Sequence, residues 1–136
     1  MQKILDMGAS AVQMGTIFVT TEECDASVEF KNTYIKAQEK DIEIIKSPVG
    51  LPGRALGSRF LDRVKSGLEK PAKCNFHCIK TCDYTKSPYC IIIALYNAFR
   101  GNFNRGYAFC GSNAYKAEKI MTVKETIKIL MDDMKK

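Results

Sequence analysis

No run of apolar residues in this chain approaches the ~20 needed to span a bilayer, and the longest, Cys90 to Tyr96, stops far short of it. The amino end places Asp6 in its first turns and has no long apolar core, unlike a secretion signal, so the expected location is the cytoplasm, with no membrane partner. Basic residues outnumber acidic ones 21 to 15, but they recur singly near Asp or Glu and form no stripe interleaved with aromatics. Nucleic acid is therefore not an expected partner. His77 is the single histidine, and no Cys-x-x-Cys pair occurs. Without a secretion signal, the six cysteines point to reduced thiols or a metal site in place of a disulfide framework. What remains is ordinary for a folded chain: 136 residues, 46% hydrophobic and 26% charged, which suits one domain.

Ile4, Leu5 and Met7 before Gly8 read as the end of a helix whose glycine takes the left-handed cap. Ala11 to Met14, a compact and mostly apolar run between glycines, suits a strand buried on both faces, as in a parallel sheet. Thr20, Thr21, Glu22 and Glu23 offer turn and cap chemistry. From Ser27 to about Lys40, Phe30, Tyr34 and Ala37 recur at helical spacing, and Ile42, Ile44 and Ile45 form a short strand-like segment. Pro48, Gly50, Pro52 and Gly53 then forbid regular structure, and a helix is expected over Arg54 to Lys65, bent near Gly57. Lys70 to Lys86 is the least regular stretch. Ser87-Pro88 opens an apolar helix to Phe99, Tyr107 to Phe109 is strand-like, and Thr122 with Glu125 makes a capping box. The last helix aligns Val123, Ile127, Leu130, Met131 and Met134 on one face.

Gln13-Met14-Gly15-Thr16 falls where the expected strand ends, the position at which open α/β folds and barrels bind ligands. Gly15 has no side chain to block an anion, and the amides of Gly15 and Thr16 can face phosphate oxygens. A strand followed by Gly-Thr is equally ordinary turn chemistry. Cys74, Cys78 and Cys82 are spaced four apart, so on a helix they would share a face, with Cys90 as a fourth soft ligand. Zinc or an iron–sulfur cluster fits that spacing, while buried reduced thiols are the commoner use of cysteine. Cys24 and Cys110 lack a neighbouring histidine and read as packing residues. Arg54 reads as a solvated arginine or an anion-steering one. Tyr84, Tyr89 and Tyr115 either close a core or line a pocket.

The segment Gly8-Ala9-Ser10-Ala11-Val12-Gln13-Met14-Gly15-Thr16, continuing through Phe18 to Thr21-Glu22-Glu23-Cys24, resembles the flavin-phosphate segment of the nitronate monooxygenase family, also called 2-nitropropane dioxygenases. The related FMN-dependent enoyl-ACP reductases share it. Ser47 to Ala55 and Gly111-Ser112-Asn113-Ala114-Tyr115 resemble later segments of a subset of that family. The resemblance implies an α/β fold class: the carboxyl-terminal fragment of a (β/α)8 TIM barrel, with its last strand and helices, plus a small α-rich segment. Residues 1–46 would be the barrel end and residues 47–136 a mostly helical, cysteine-containing extension. It further implies FMN as cofactor, its phosphate held by Gln13, Met14, Gly15 and Thr16, with Gly111 to Asn113 near the mouth of the site, and a nitronate or related small molecule as substrate. The family's catalytic histidine belongs to a part of the barrel this sequence does not contain, and His77 is not assigned that role.

A complete barrel takes about 250 residues, and this chain is expected to open inside the helix before the eighth strand. A parallel strand without hydrogen-bonded neighbours is expected to be unstable or rearranged. Two functions follow as expectations: a portion of an FMN-dependent oxidoreductase, of nitronate monooxygenase or enoyl-ACP reductase type, or a non-catalytic remnant or assembly module that associates through an exposed barrel edge.

Overall fold

The computed structural model describes residues 1–70, 74 and 76–134. Residues 71–73 and 75, within the irregular stretch expected over 70–86, lie outside it, as do 135–136. In chain order the elements are α1 (Gln2–Asp6), α2 (Thr16–Val19), α3 (Val28–Lys36), a 3-10 turn (Glu39–Asp41), β1 (Ile42–Lys46), β2 (Pro52–Leu56), α4 (Arg59–Lys65), α5 (Ile91–Phe99), a 3-10 turn (Ala114–Lys116) and α6 (Val123–Asp133).

Local chemistry sets several of these boundaries where the sequence places them. Gly8 ends α1 at φ +95°, a left-handed conformation that costs glycine little. Ser27 Oγ accepts from Phe30 N–H at the start of α3. At α6, Thr122 Oγ1 accepts from Glu125 N–H while Glu125 accepts from Thr122 N–H, so both expected halves of the capping box are present. These bonds from Thr122 hold the Glu125 carboxyl below its usual range.

Three expectations are corrected, each because a strand or helix depends on what it meets. Ala11 to Met14 is not a strand; the segment is irregular and joins no ladder among the described residues. Its buried-strand composition has no neighbouring strand here to hydrogen-bond. The expected helix over Arg54 to Lys65 begins only at Arg59, where Ser58 Oγ caps Leu61 N–H. Pro52 to Leu56 instead forms β2, antiparallel to β1 with Ile44 opposite Arg54 and Lys46 opposite Pro52. Pro52 is tolerated because it is the first residue of its strand. Gly53 is required by the ring of Phe109, 2.4 Å from where its Cβ would lie. The helix expected from Pro88 starts three residues later, as Ile91–Phe99. Ser87 is used elsewhere, closing a turn by donating from Oγ to Asp83 O at 2.8 Å.

The sheet is thus a two-stranded antiparallel hairpin in place of the parallel arrangement expected from the sequence. Its second edge is extended by the Tyr107 to Phe109 run: Leu56 N–H donates to Ala108 O and Cys110 N–H donates to Arg54 O, each at 3.0 Å. Two buried clusters flank it. Ile45, Ala55, Phe60, Leu61, Tyr89, Ile91, Ala94 and Tyr107 form the larger, and Tyr34, Leu56, Ala108 and Ala114 the smaller. Phe60 meets Tyr89 edge-on at 5.0 Å between ring centroids, a favourable aromatic geometry. Tyr89 thereby takes the core role; Tyr84 is exposed and Tyr115 half-buried. The expected apolar face of α6 is largely uncovered, with Ile127 and Met131 each 48% exposed.

Gly106 sits where the run leading into Tyr107 crosses α5, and a Cβ there would lie 2.0 Å from Ala94 O. Gly106→Ala should lower folding stability by about 1–3 kcal/mol, whereas Thr122→Ala should cost about 1 kcal/mol; thermal or denaturant melts of the two variants test that ranking.

Candidate functional site

Gly15 and Thr16 lie at the start of α2, and the structure joins them to a segment far away in sequence. Thr16 Oγ1 accepts from Gly111 N–H at 2.8 Å. A Cβ at Gly111 would come within 3.3 Å of that same oxygen, so the approach suits glycine. Two motifs singled out separately, Gln13 to Thr16 and Gly111 to Asn113, therefore meet.

The Gly111 loop is fixed on several sides. Tyr34, 1% exposed, donates its hydroxyl to Phe109 O at 2.6 Å. Ala114 N–H donates to Gly111 O at 3.1 Å, which opens the 3-10 turn over Ala114–Lys116. α2 is held at its far end as well. Thr21 forms a parallel bridge with Met121, through Glu22 N–H to Met121 O and Met121 N–H to Thr20 O. Thr20 and Thr21 are buried and turn their hydroxyls back to Ile17 O and Phe18 O. Glu23 then receives Val123 N–H on both carboxylate oxygens, at 3.0 and 2.8 Å, placing a negative charge at the amino end of α6. The cap chemistry expected of this run is real, but the helix it caps lies 100 residues on.

At the site itself, Gln13 and Gly15 are exposed and Met14 and Thr16 half-buried. A Cβ built on Gly15 meets nothing within 4 Å, so the space above it is open. Phe18 N–H donates to Gly15 O at 2.9 Å, while the amides before it in α2 precede any carbonyl the helix could offer them. Thr16 spends an oxygen lone pair on Gly111 and keeps its own proton to donate. A phosphate fits this donor set: backbone N–H groups, one hydroxyl and no side chain in the way.

Cys110, beside Gly111, is not an activated nucleophile; burial pushes its thiol up, against a smaller opposing pull from Arg54. Arg54 is exposed on β2. Burial also pushes the Tyr34 phenol well above its usual range, with smaller contributions from Cys110 and Cys24. Sequence reasoning placed Tyr34 only on an apolar helix face; a tyrosine there, instead of phenylalanine, was the available sign of a hydroxyl with a partner. Lys31 was also missed: it is buried in α3, its Nζ donating to Glu22 O at 3.1 Å. His77 and Cys74, Cys78, Cys82 and Cys90 lie around a different cavity, remote in the chain from Thr16.

This architecture matches part of two solved structures named FabK. Over 96% of this chain and 39% of the other, it matches FabK from Thermotoga maritima with a TM-score of 0.74 at 25% identity. A FabK mutant from the same organism gives a TM-score of 0.75 at 24% identity, covering 99% of this chain and 37% of that one. The family model described as nitronate monooxygenase matches residues 1–133, and the chain belongs to that family. A probable nitronate monooxygenase of Staphylococcus aureus strain Newman is 34% identical over 58 residues, which is 43% of this chain and 16% of the relative. The strain JH9 protein is 33% identical over the same length. The chain thus aligns with a minor part of each relative's length.

The folded chain holds its Tyr34, Tyr89 and Tyr107 phenol protons to higher pH than the unfolded chain does. Their contribution to stability is therefore complete below about pH 10, the unfolded phenol value, and is lost as pH rises above it. Tyr34→Phe should make the alkaline fall shallower, measured as the unfolding midpoint against pH, while costing about 1–2 kcal/mol at neutral pH through the unpaired Phe109 carbonyl.

Proposed function

We propose that the chain is the carboxyl-terminal part of an FMN-dependent oxidoreductase of nitronate monooxygenase type, in which Gln13, Met14, Gly15 and Thr16 hold the cofactor's phosphate. Family membership supports the reaction class. The observation that carries the residue assignment is the open space over Gly15 beside a Thr16 hydroxyl already oriented by Gly111. When bound, FMN supplies the electron-accepting ring, and the protein supplies its placement. Gly15 admits the anion, the leading amides of α2 and the Thr16 hydroxyl donate to it, Gln13 and Met14 flank it, and Gly111 to Asn113 forms the adjoining wall.

In this reading residues 1–46 end a (β/α)8 barrel and residues 47–136 extend it, with the β1–β2 hairpin joining the two parts. Ala11 to Met14 is the segment that takes up strand pairing when the rest of such a barrel lies beside it; as it stands, it is an edge open to association. The substrate is a nitronate or related small molecule handled in the cytoplasm. Enoyl reduction is the second reading of the same scaffold, and the family match favours the first. Among the described residues no helix is long and apolar enough to cross a membrane.

Titrating the chain with FMN and with riboflavin, followed by flavin fluorescence, tests the phosphate assignment. FMN should bind at least about 10-fold more tightly, the worth of one hydrogen bond to a charged group. Thr16→Val should reduce that preference and Thr16→Ser restore it. Gly15→Ala should weaken FMN without changing the melting temperature, because φ −114° suits alanine and its methyl would meet only open space. Equal binding of the two flavins would overturn the assignment.

A further inference from the structure

The hairpin is left open along β1. Leu56 N–H donates to Ala108 O and Cys110 N–H donates to Arg54 O, so Arg54 and Leu56 turn their backbone groups away from β1. Their partners across the ladder, Ile44 and Ile42, then turn theirs away from β2, because the two residues of an antiparallel pair exchange both bonds or neither. Lys46, two residues on, does the same; it stands opposite Pro52, which has no N–H to give. Glu39 O accepts the Ile42 N–H. The outward N–H and C=O groups of Ile44 and Lys46 have no partner among the described residues.

A groove of about 680 Å³ runs along this edge. Successive side chains of a strand point to opposite faces, so a groove touched by Ile44, Ile45, Lys46 and Ser47 in turn follows the backbone edge instead of lying on one face. Leu61 and Val64 of α4 form its apolar wall, on the face of the sheet that Ile45 packs against. Ile44 is 63% exposed, so nothing covers the backbone there. Free N–H and C=O groups at strand spacing beside an apolar wall are the surface on which an extended peptide adds to a sheet.

Charge selects the occupant. Lys46, Lys65 and Lys86 border the groove against one carboxylate, Asp83. Lys65 is bridged to Glu43 and Lys86 to Asp83 at 3.3 Å, but both lysines are exposed, where such pairs contribute little. Lys46 forms no ion pair among the described residues. A second copy would bring the same lysines and its own net charge of +6 to the contact, and a lysine on an edge strand works against pairing between copies. We propose that β1 binds an extended segment of another protein, alternating acidic and apolar residues, as an added antiparallel strand. Ile44 and Lys46 each exchange both backbone bonds with an acidic residue of that segment, whose side chain shares the Lys46 face; the apolar side chains between them face Leu61 and Val64. The inference does not rest on the flavin assignment.

Titrating the full chain with a blocked hexapeptide of alternating valine and glutamate, followed by backbone amide resonances, should shift the Ile44 and Lys46 amides and slow their hydrogen exchange. The same peptide with lysine in place of glutamate should bind at least about 10-fold more weakly. N-methylation of the glutamate amides, which face β1, should cost at least about 10-fold, and N-methylation of the valine amides, which face away, should leave binding unchanged. Ile44→Pro removes a donor from the open edge without touching the β1–β2 ladder, so it should weaken the peptide by a similar factor with little change in melting temperature. The proposal is overturned if the valine–glutamate peptide leaves the Ile44 and Lys46 amides unmoved, if the lysine peptide binds as well, if methylation of valine amides is as harmful as that of glutamate amides, or if the chain alone is a dimer in which those two amides are already protected.

Discussion

The hydrogen bond from Gly111 N–H to Thr16 Oγ1 closes a loop of 95 residues, and the geometry of the site follows from it. It fixes the first residue of α2 against the turn that follows the strand-like run, and leaves the Thr16 hydroxyl free to donate elsewhere. Closing so long a loop is entropically costly, but the cost grows only slowly with length. It is also shared with the contacts around it: Tyr34 on Phe109, the Thr21–Met121 bridge and Glu23 on the start of α6. Each of these also joins residues from distant parts of the sequence, so the run from Thr16 to Glu23 is tied to the run from Phe109 to Val123.

Buried polar groups serve as further ties. Thr20, Thr21, Lys31 and Thr126 are buried, and each turns its polar atom onto a backbone carbonyl. Such groups are costly to bury unpaired, so satisfying them in one arrangement selects that arrangement over others. By contrast α1, α6 and the Ala11 to Met14 segment expose apolar side chains or unladdered backbone. The firmly tied part thus surrounds Gly111 and the far end of α2, while the segment leading into Gly15 is held least.

How much of this was legible in the sequence depended on how far each feature had to reach. The Thr122–Glu125 box and the Gly8 stop involve residues within a few positions of one another, and both stand as read, whereas the helix read from Ser27 to about Lys40 ends at Lys36. The family resemblance carried by Gly8 to Cys24 also stands, since the family match spans residues 1–133. Arg54 to Leu56 failed as a helix because Ile42 to Lys46 folds back to pair with it, and nothing local to Arg54 announces that partner. Ala11 to Met14 failed as a strand for the converse reason, having the right composition and no strand beside it. The 70–86 stretch reads as the least regular, and its described residues form no helix; Cys74, Cys78, Cys82 and Cys90 line one cavity there.

By itself, the sequence determined the helix caps, the glycine stops, the family and the identity of the residues at the turn after Met14, because these depend on side-chain chemistry over one or two turns of chain. Only the tertiary structure decided which runs became strands, which helix Glu23 would cap, and that Thr16 would meet Gly111. Strand pairing and long-range capping need a second partner, and a partner's position is a property of the folded whole.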